Sequence, residues 1–301
     1  MAQQLPNPRD IVPRDAVING HRIAYGLRGE GRHLVFLHGT PSSSFIWRDV
    51  LEHLGVGART LTFDLLGFGH SERPWQPSVD TSVAAQVPVL FSLLDQVGFA
   101  DAHLVAHDIG GAVAMRAALA SPQRFRTLTL IDTVSFDSWP SPRTRQQIAQ
   151  GLDALLATDE NTHREHFRAW LASAVHDEQR FRAGALETYL DMISGPVGQA
   201  SLIQHQIRHY DSRYTEELTP RLAELGELPT QLIWGREDAW QRLEWGERLH
   251  AAIPGSELHV LDACGHFAME DRGNEVASLI EGFTSRHAAP EARGSHDGHV
   301  L

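Results

Sequence analysis

The stretch 102–115 reads Ala-His-Leu-Val-Ala-His-Asp-Ile-Gly-Gly-Ala-Val-Ala-Met. The apolar run 103–106 has strand character, and 112–119 has a helix-forming composition. Between them stand His107, Asp108, Ile109, Gly110 and Gly111. A strand that turns into a helix within a few residues strains the backbone at the apex, and small neighbours let the two elements close on each other. Ala106, Gly110 and Gly111 supply those neighbours, and Asp108 stands at the apex, where a serine hydrolase would carry Ser. A carboxylate presented in this way attacks saturated carbon and forms an alkyl ester. That ester is an ordinary acyl group, open to hydrolysis by an activated water. Attack on an ester substrate would instead give a mixed anhydride and gain little. The residue type therefore points to cleavage of a C–halogen bond or an epoxide C–O bond. No Gly-x-Ser-x-Gly elbow occurs in the chain.

The small-x-Asp-x-Gly-Gly elbow resembles that of the haloalkane dehalogenases and epoxide hydrolases of the α/β-hydrolase fold. Further stretches agree, namely His38-Gly39-Thr40-Pro41, Ser43-Ser44-Phe45-Ile46-Trp47-Arg48, the Gly-x-Gly-x-Ser-x-x-Pro turn at 67–74, and Gly265-His266-Phe267. The resemblance covers 14–286. It implies Asp108 as nucleophile and His266 as base, on a loop after the last strand. The chain has 18 His, so a lone His carries little weight, but this one has the position and the preceding Gly that the fold asks for. Two carboxylates could orient the base. Asp238 ends Trp234-Gly235-Arg236-Glu237-Asp238, and Asp132 sits in Ile131-Asp132-Thr133. Both keep the chain order nucleophile, acid, His, and the fold family uses either position; Asp238 is preferred because Gly-x-x-Asp is the commoner pattern. The oxyanion hole would be formed by the backbone N–H groups of Ile109 and Thr40.

The leaving group divides the two families. Dehalogenases hold the halide with a Trp directly after the nucleophile and often an Asn at the position of Thr40. Here Ile109 and Thr40 remove both N–H donors, and a Trp of the cap, Trp139 or Trp170, could replace one. An Arg after the nucleophile, as in fluoroacetate-type enzymes, is also absent. An epoxide leaves as an alkoxide and needs O–H donors, usually tyrosines of the cap. Tyr189, Tyr210 and Tyr214 are available, and His38-Gly39-Thr40-Pro41 fits the His-Gly-x-Pro pattern of epoxide hydrolases. The substrate-binding candidates are thus His38, Trp139, Tyr189, Tyr210 and Tyr214. The expected reaction is hydrolysis of an epoxide to a diol; the alternatives are haloalkane dehalogenation and a homologue that binds a small molecule without turnover.

Positioning these residues requires an α/β fold. The region 16–27 reads as two short strands around the Asn19-Gly20 turn, a hairpin signal. Strands follow at 33–37 and 59–64, with helical spacing over 45–54 and possible caps at Ser42, Ser43 and Ser44. A helix is predicted over 81–97, then the elbow, then a strand at 126–131. This alternation predicts a mostly parallel central sheet flanked by helices. After Asp132 only helical patterns remain, broken by Pro and Gly, across 134–225. The alternation resumes with a strand at 230–234, a helix near 242–252, a strand at 257–261 and a helix near 274–284. The expected organisation is a core of 14–133 and 226–286, a helical cap of 134–225 over the carboxyl ends of the strands, and flexible tails at 1–13 and 287–301.

Composition narrows the partners. The 301 residues carry a formal charge of −12 and are 42% hydrophobic. That charge argues against a nucleic-acid partner, while the apolar fraction suffices for a sizeable core. One cysteine, Cys264, excludes an internal disulfide and fits a reducing cytoplasm. No window approaches the ~18 apolar residues of a membrane span, and the first residues lack a signal-peptide core. No dinucleotide loop follows a strand, so no cofactor is expected. His163/His166 and His205/His209 have helical chelating spacing but no third ligand pattern, and no metal is expected. The expected partners are a small apolar organic substrate and water.

Overall fold

Asn19 and Gly20 both take positive φ, 51° and 87°. They close the two-residue hairpin between β1 (Arg14–Ile18) and β2 (His21–Arg28). In the computed structural model, which describes residues 5–288, six further strands follow. These are β3 (Arg32–Leu37), β4 (Ala58–Phe63), β5 (Ala102–His107), β6 (Phe125–Ile131), β7 (Thr230–Gly235) and β8 (Glu257–Leu261). One sheet holds all eight in the order β1-β2-β4-β3-β5-β6-β7-β8. The β1–β2 and β2–β4 pairs are antiparallel, and every other pair is parallel.

Burial follows from that order. Every residue of β5 and of β7 is buried, as expected for parallel strands covered by helices on both faces. Alternation within β3 sends Val35 and Leu37 to one apolar core and Leu34 and Phe36 to the other. The helices Val83–Val97 and Ile109–Ala120 share the first of these cores. The order in which strands are added reverses at β3 and β5, which are parallel neighbours in the sheet although β4 intervenes in sequence. Ligands of open α/β sheets bind at such a switch, outside the carboxyl ends of the strands. The loops leaving β3 and β5, which carry Thr40 and Asp108, meet there.

Between β6 and β7 the structure has only helices and turns, from Pro142–Gln150 to Thr219–Glu227. This insertion bonds to the loops at the carboxyl ends of the strands. Ser201 Oγ donates to Gly67 O at 2.7 Å, Thr81 Oγ1 to His205 O at 2.7 Å, and Phe267 N to Ala174 O at 2.8 Å.

Two features depart from expectation. Within the region expected to be a loose arm, Pro8–Ile11 forms a helical turn capped by Asn7, and Ile11 and Val12 are buried. The burial of these two apolar side chains, with Ile11 O accepting from Thr62 Oγ1 of β4 at 3.2 Å, outweighs the Pro-rich polar composition of the segment. The insertion also contains a π-helix, Leu202–Gln206, which no periodicity announced. The expectation of a flexible carboxyl tail falls mostly on 289–301, outside the described residues, as do 1–4. No helix among the described residues is long and apolar enough to cross a membrane.

Candidate active site

Asp108 joins β5 to the helix Ile109–Ala120 with φ 52° and ψ −123°. A non-glycine residue in such a conformation stores about 1–3 kcal/mol of strain and persists only where its surroundings over-determine it. Hydrogen bonds on both sides fix the Asp108 backbone. Its N–H donates to Ile131 O at 3.2 Å, and its carbonyl accepts Gly111 N at 3.0 Å and Thr133 Oγ1 at 2.9 Å. Close approach explains the glycines. A Cβ on Gly110 would stand 2.5 Å from His38 O, and one on Gly39 would collide with the Asp108 side chain.

The two carboxylate oxygens of Asp108 have different surroundings. Oδ1 accepts the Thr40 N–H at 2.8 Å. Oδ2 faces His266 Nε2 at 3.6 Å, longer than a hydrogen bond but close enough for strong charge attraction. Asp108 and His266 are both buried. On the far side of the ring, His266 Nδ1 bonds Asp238 Oδ2 at 2.8 Å. Asp238 is held in turn by the N–H groups of Trp240 and Gln241, which donate to its Oδ1 at 2.7 and 2.8 Å. His107, the residue before Asp108, bonds the His266 carbonyl through Nε2 at 3.0 Å.

Charge and burial compete at this pair. Burial raises the Asp108 carboxyl, but His266, His107 and the Thr40 N–H outweigh it and hold it below its usual value. Burial lowers His266, but Asp238 and Asp108 outweigh it and lift the imidazole to about 10. The resting pair is therefore a carboxylate facing an imidazolium.

The other predicted residues divide. The Ile109 N–H opens the helix after Asp108, where the first N–H groups have no partner within the helix. Thr40 Oγ1 donates to Gln206 Oε1 at 3.1 Å and hydrogen-bonds the Tyr210 hydroxyl. Tyr210 thus stands one residue away from Asp108, and its ring packs on Trp139 at 5.6 Å. Burial holds the Tyr210 phenol above its usual value, so it keeps its proton. Tyr210 also lines a cleft of about 290 Å³ with Leu155, Phe167, Trp170 and Ile207.

The remaining candidates are committed elsewhere. His38 uses Nδ1 on Gly39 O and Nε2 on Leu65 N. Tyr189 donates to Glu270 Oε1 at 2.6 Å, in a buried cluster with Arg48. The Tyr214 hydroxyl accepts from Arg213 at 2.8 Å. Trp139 Nε1 donates to Thr215 Oγ1 at 2.9 Å. Asp132 accepts the Gly235 N–H at 2.8 Å rather than a nitrogen of His266. His163 and His205 bond backbone carbonyls, of Ile193 and Pro74. Two site residues escaped the sequence reading. Gln206 reaches Thr40 from the π-helix, and Trp240 lays its ring against His266 at 4.9 Å while stacking on Trp170 at 4.4 Å. Trp240 lies two residues beyond Asp238, which was its one available signal.

An eight-stranded, mostly parallel sheet with a strand–turn–helix elbow at its switch point and a buried His–carboxylate pair beside it defines a class of protein. Residues 32–273 match the α/β hydrolase fold, and the chain belongs to that family. A cis-3-alkyl-4-alkyloxetan-2-one decarboxylase of Shewanella oneidensis is 24% identical over 294 residues, spanning 93% of this chain and 89% of that one. A 2-hydroxymuconate semialdehyde hydrolase of Pseudomonas sp. strain CF600 is 27% identical over 294 residues, spanning 92% and 95%. Among solved structures, an alpha/beta hydrolase fold protein from Burkholderia ambifaria superposes with a TM-score of 0.81 at 31% identity, covering 89% and 97%.

Proposed function

We propose that the protein is a hydrolase with Asp108 as nucleophile, which opens an epoxide through an alkyl-enzyme ester and releases a diol. The observation that carries this reading is the linked set Asp108, Thr40 and Tyr210. The Thr40 N–H holds Asp108 Oδ1, and the Thr40 hydroxyl holds the Tyr210 phenol. A strained ring lying over Oδ2 would find a carboxylate on one side and, once the Tyr210 phenol turns its proton from Thr40 to the ring oxygen, an O–H donor on the other. The nearby indole N–H groups of Trp139 and Trp240 are turned to Thr215 and Ser173, which argues against a halide site.

Asp108 Oδ2 attacks a ring carbon, the C–O bond breaks, and the ring oxygen takes the Tyr210 proton. Esterification removes the negative charge of Asp108, one of the two that lift His266. The imidazolium then gives its proton back to Tyr210 and becomes the base. Neutral His266 takes a proton from water, and the hydroxide adds to the ester carbonyl. Negative charge develops on Oδ1, where the N–H groups of Thr40 and Ile109 receive it. Collapse expels the diol alkoxide, which takes the proton left on the Asp108 carboxyl. The resting carboxylate–imidazolium pair is restored. Asp238 keeps the ring oriented throughout. The cap role of 134–225, with Tyr210 and Gln206 supplied from above, belongs to the same proposal.

A second reading is favoured by the similarity to an oxetan-2-one decarboxylase over 93% of the chain. An oxetan-2-one is also a strained oxygen ring open to a carboxylate. Attack at its oxygen-bearing carbon expels a carboxylate, which needs no phenol proton.

The test is incubation of His266→Gln with styrene oxide, followed by mass spectrometry of the digested protein. The expected result is one added substrate on the peptide that carries Asp108. An adduct on a Ser or Cys peptide, or none, would contradict the reading.

A further inference from the structure

Asp132 is fully buried at the end of β6, with φ 43°. Its Oδ1 accepts the Gly235 N–H at 2.8 Å, and its Oδ2 has no donor. The titratable groups that face it are Asp238, on the loop after β7, and His266 and Cys264, on the loop after β8. Asp132 is tied to the strand that leads to Asp238: its N–H donates to Ile233 O at 3.1 Å, and Gly235, whose N–H it accepts, takes the Asp238 N–H on its own carbonyl at 3.3 Å. Asp238 already accepts three N–H groups, from Trp240, Gln241 and His266, which is the pattern of an ionised carboxylate. The Nδ1 proton of His266 is committed to Asp238. With those three donors on Asp238, a hydrogen bond from the orphan Oδ2 of Asp132 to Asp238 requires a proton on Asp132.

We propose that Asp132 is a positioning residue for the reaction put forward above, held as the neutral acid and donating its O–H to Asp238. Burial first, and the neighbouring Asp238 second, push its carboxyl well above the usual range, in keeping with the rule that two adjacent buried carboxylates do not both ionise. The assignment rests on the proposed function only for its catalytic consequence. With Asp132 neutral, His266 faces two anions at rest and one after Asp108 is esterified. With Asp132 ionised, a second anion would remain, and the imidazolium would not release its proton for the second step. Asp132 therefore does not compete with Asp238 for the imidazole; it sets the charge of the pair at −1.

The variants Asp132→Asn, Asp132→Ala and Asp238→Asn of the full chain test this. An amide reproduces a neutral acid, since it accepts from Gly235 and donates to Asp238. In the infrared spectrum at neutral pH, the native protein should show the carbonyl stretch of a protonated carboxyl group, and Asp132→Asn should lose it. The His266 pKa, followed by NMR, should move by less than about 0.5 in Asp132→Asn, because no charge is removed. With styrene oxide, Asp132→Asn should recover most of the kcat that Asp132→Ala loses, with KM little changed, while Asp238→Asn falls by about 10²-fold or more. An unchanged infrared band, or a fall of about one unit or more in the His266 pKa of Asp132→Asn, overturns the assignment. So does an Asp132→Asn variant as impaired as Asp238→Asn. If the native protein does not turn over styrene oxide, the epoxide reading fails, and the infrared and NMR arms still decide the state of Asp132.

Discussion

At the scale of residues, the site depends on groups of one type being placed in different surroundings. Asp108, Asp132 and Asp238 are all buried aspartates. One faces an imidazole and a backbone N–H, one accepts three N–H donors, and one has an unpartnered oxygen. The proposed proton donor is Tyr210. Tyr210→Phe should lower kcat on styrene oxide by about 10²-fold, measured by diol formation, while turnover of a 3,4-dialkyl-oxetan-2-one should persist. Equal loss on both substrates would remove the phenol as a specific donor to the epoxide. That Asp108 and His266 would face each other was legible in the sequence, because elbow spacing and chain order point to that pair. The choice between Asp132 and Asp238 was not, since both lie at carboxyl ends of neighbouring strands. Only the direction of the His266 ring separates them. Tyr189, Tyr210 and Tyr214 could not be ranked from sequence either. A helix turns Tyr189 toward Glu270, whereas Tyr210 follows the turn Ile207–His209 down to Thr40.

At the scale of elements, the elbow and the β3 loop act as one unit, because Gly110 packs on the His38 carbonyl and Gly39 on Asp108. Gly110→Ala should therefore destabilise the protein by about 1–3 kcal/mol through overpacking, read as a lower urea midpoint with an unchanged m-value. A neutral effect would mean that the backbone there can give way. The strands were legible to within a residue or two, since apolar runs bounded by turn residues mark them. The helices of 134–225 were legible only as a class. Their short lengths and the π-helix at Leu202–Gln206 are set by packing onto the strand loops, through contacts such as Ser201 to Gly67, and local propensity does not encode these.

At the scale of the whole molecule, buried histidines tie stability to pH. His38, His103, His107, His163 and His205 are buried, and burial lowers each below the ordinary 6.5, His103 to about 4 and His107 to about 3. In the unfolded chain they take up protons near 6.5, and in the fold they do so only at lower pH. Their contribution is therefore fully present above 6.5 and is lost as pH falls below it. His266 has the opposite sign. Lifted to about 10, it stabilises fully below 6.5 and loses that contribution as pH rises toward 10. The urea midpoint should consequently peak near neutrality and fall on both sides. Replacing Asp108 with Asn should flatten the alkaline limb, since one of the charges that lift His266 is gone. An alkaline limb unaltered by that substitution would contradict the carboxylate–imidazolium pair.

The central claim is that the oxygen added to the substrate comes from Asp108 and not directly from water. A single turnover in H₂¹⁸O, with enzyme in excess over styrene oxide, tests it most directly. The account predicts an unlabelled diol and one ¹⁸O on the peptide that carries Asp108, because Oδ2 leaves with the product and water refills the carboxyl group. A labelled diol with an unlabelled Asp108 peptide would mean direct attack by water and would contradict it.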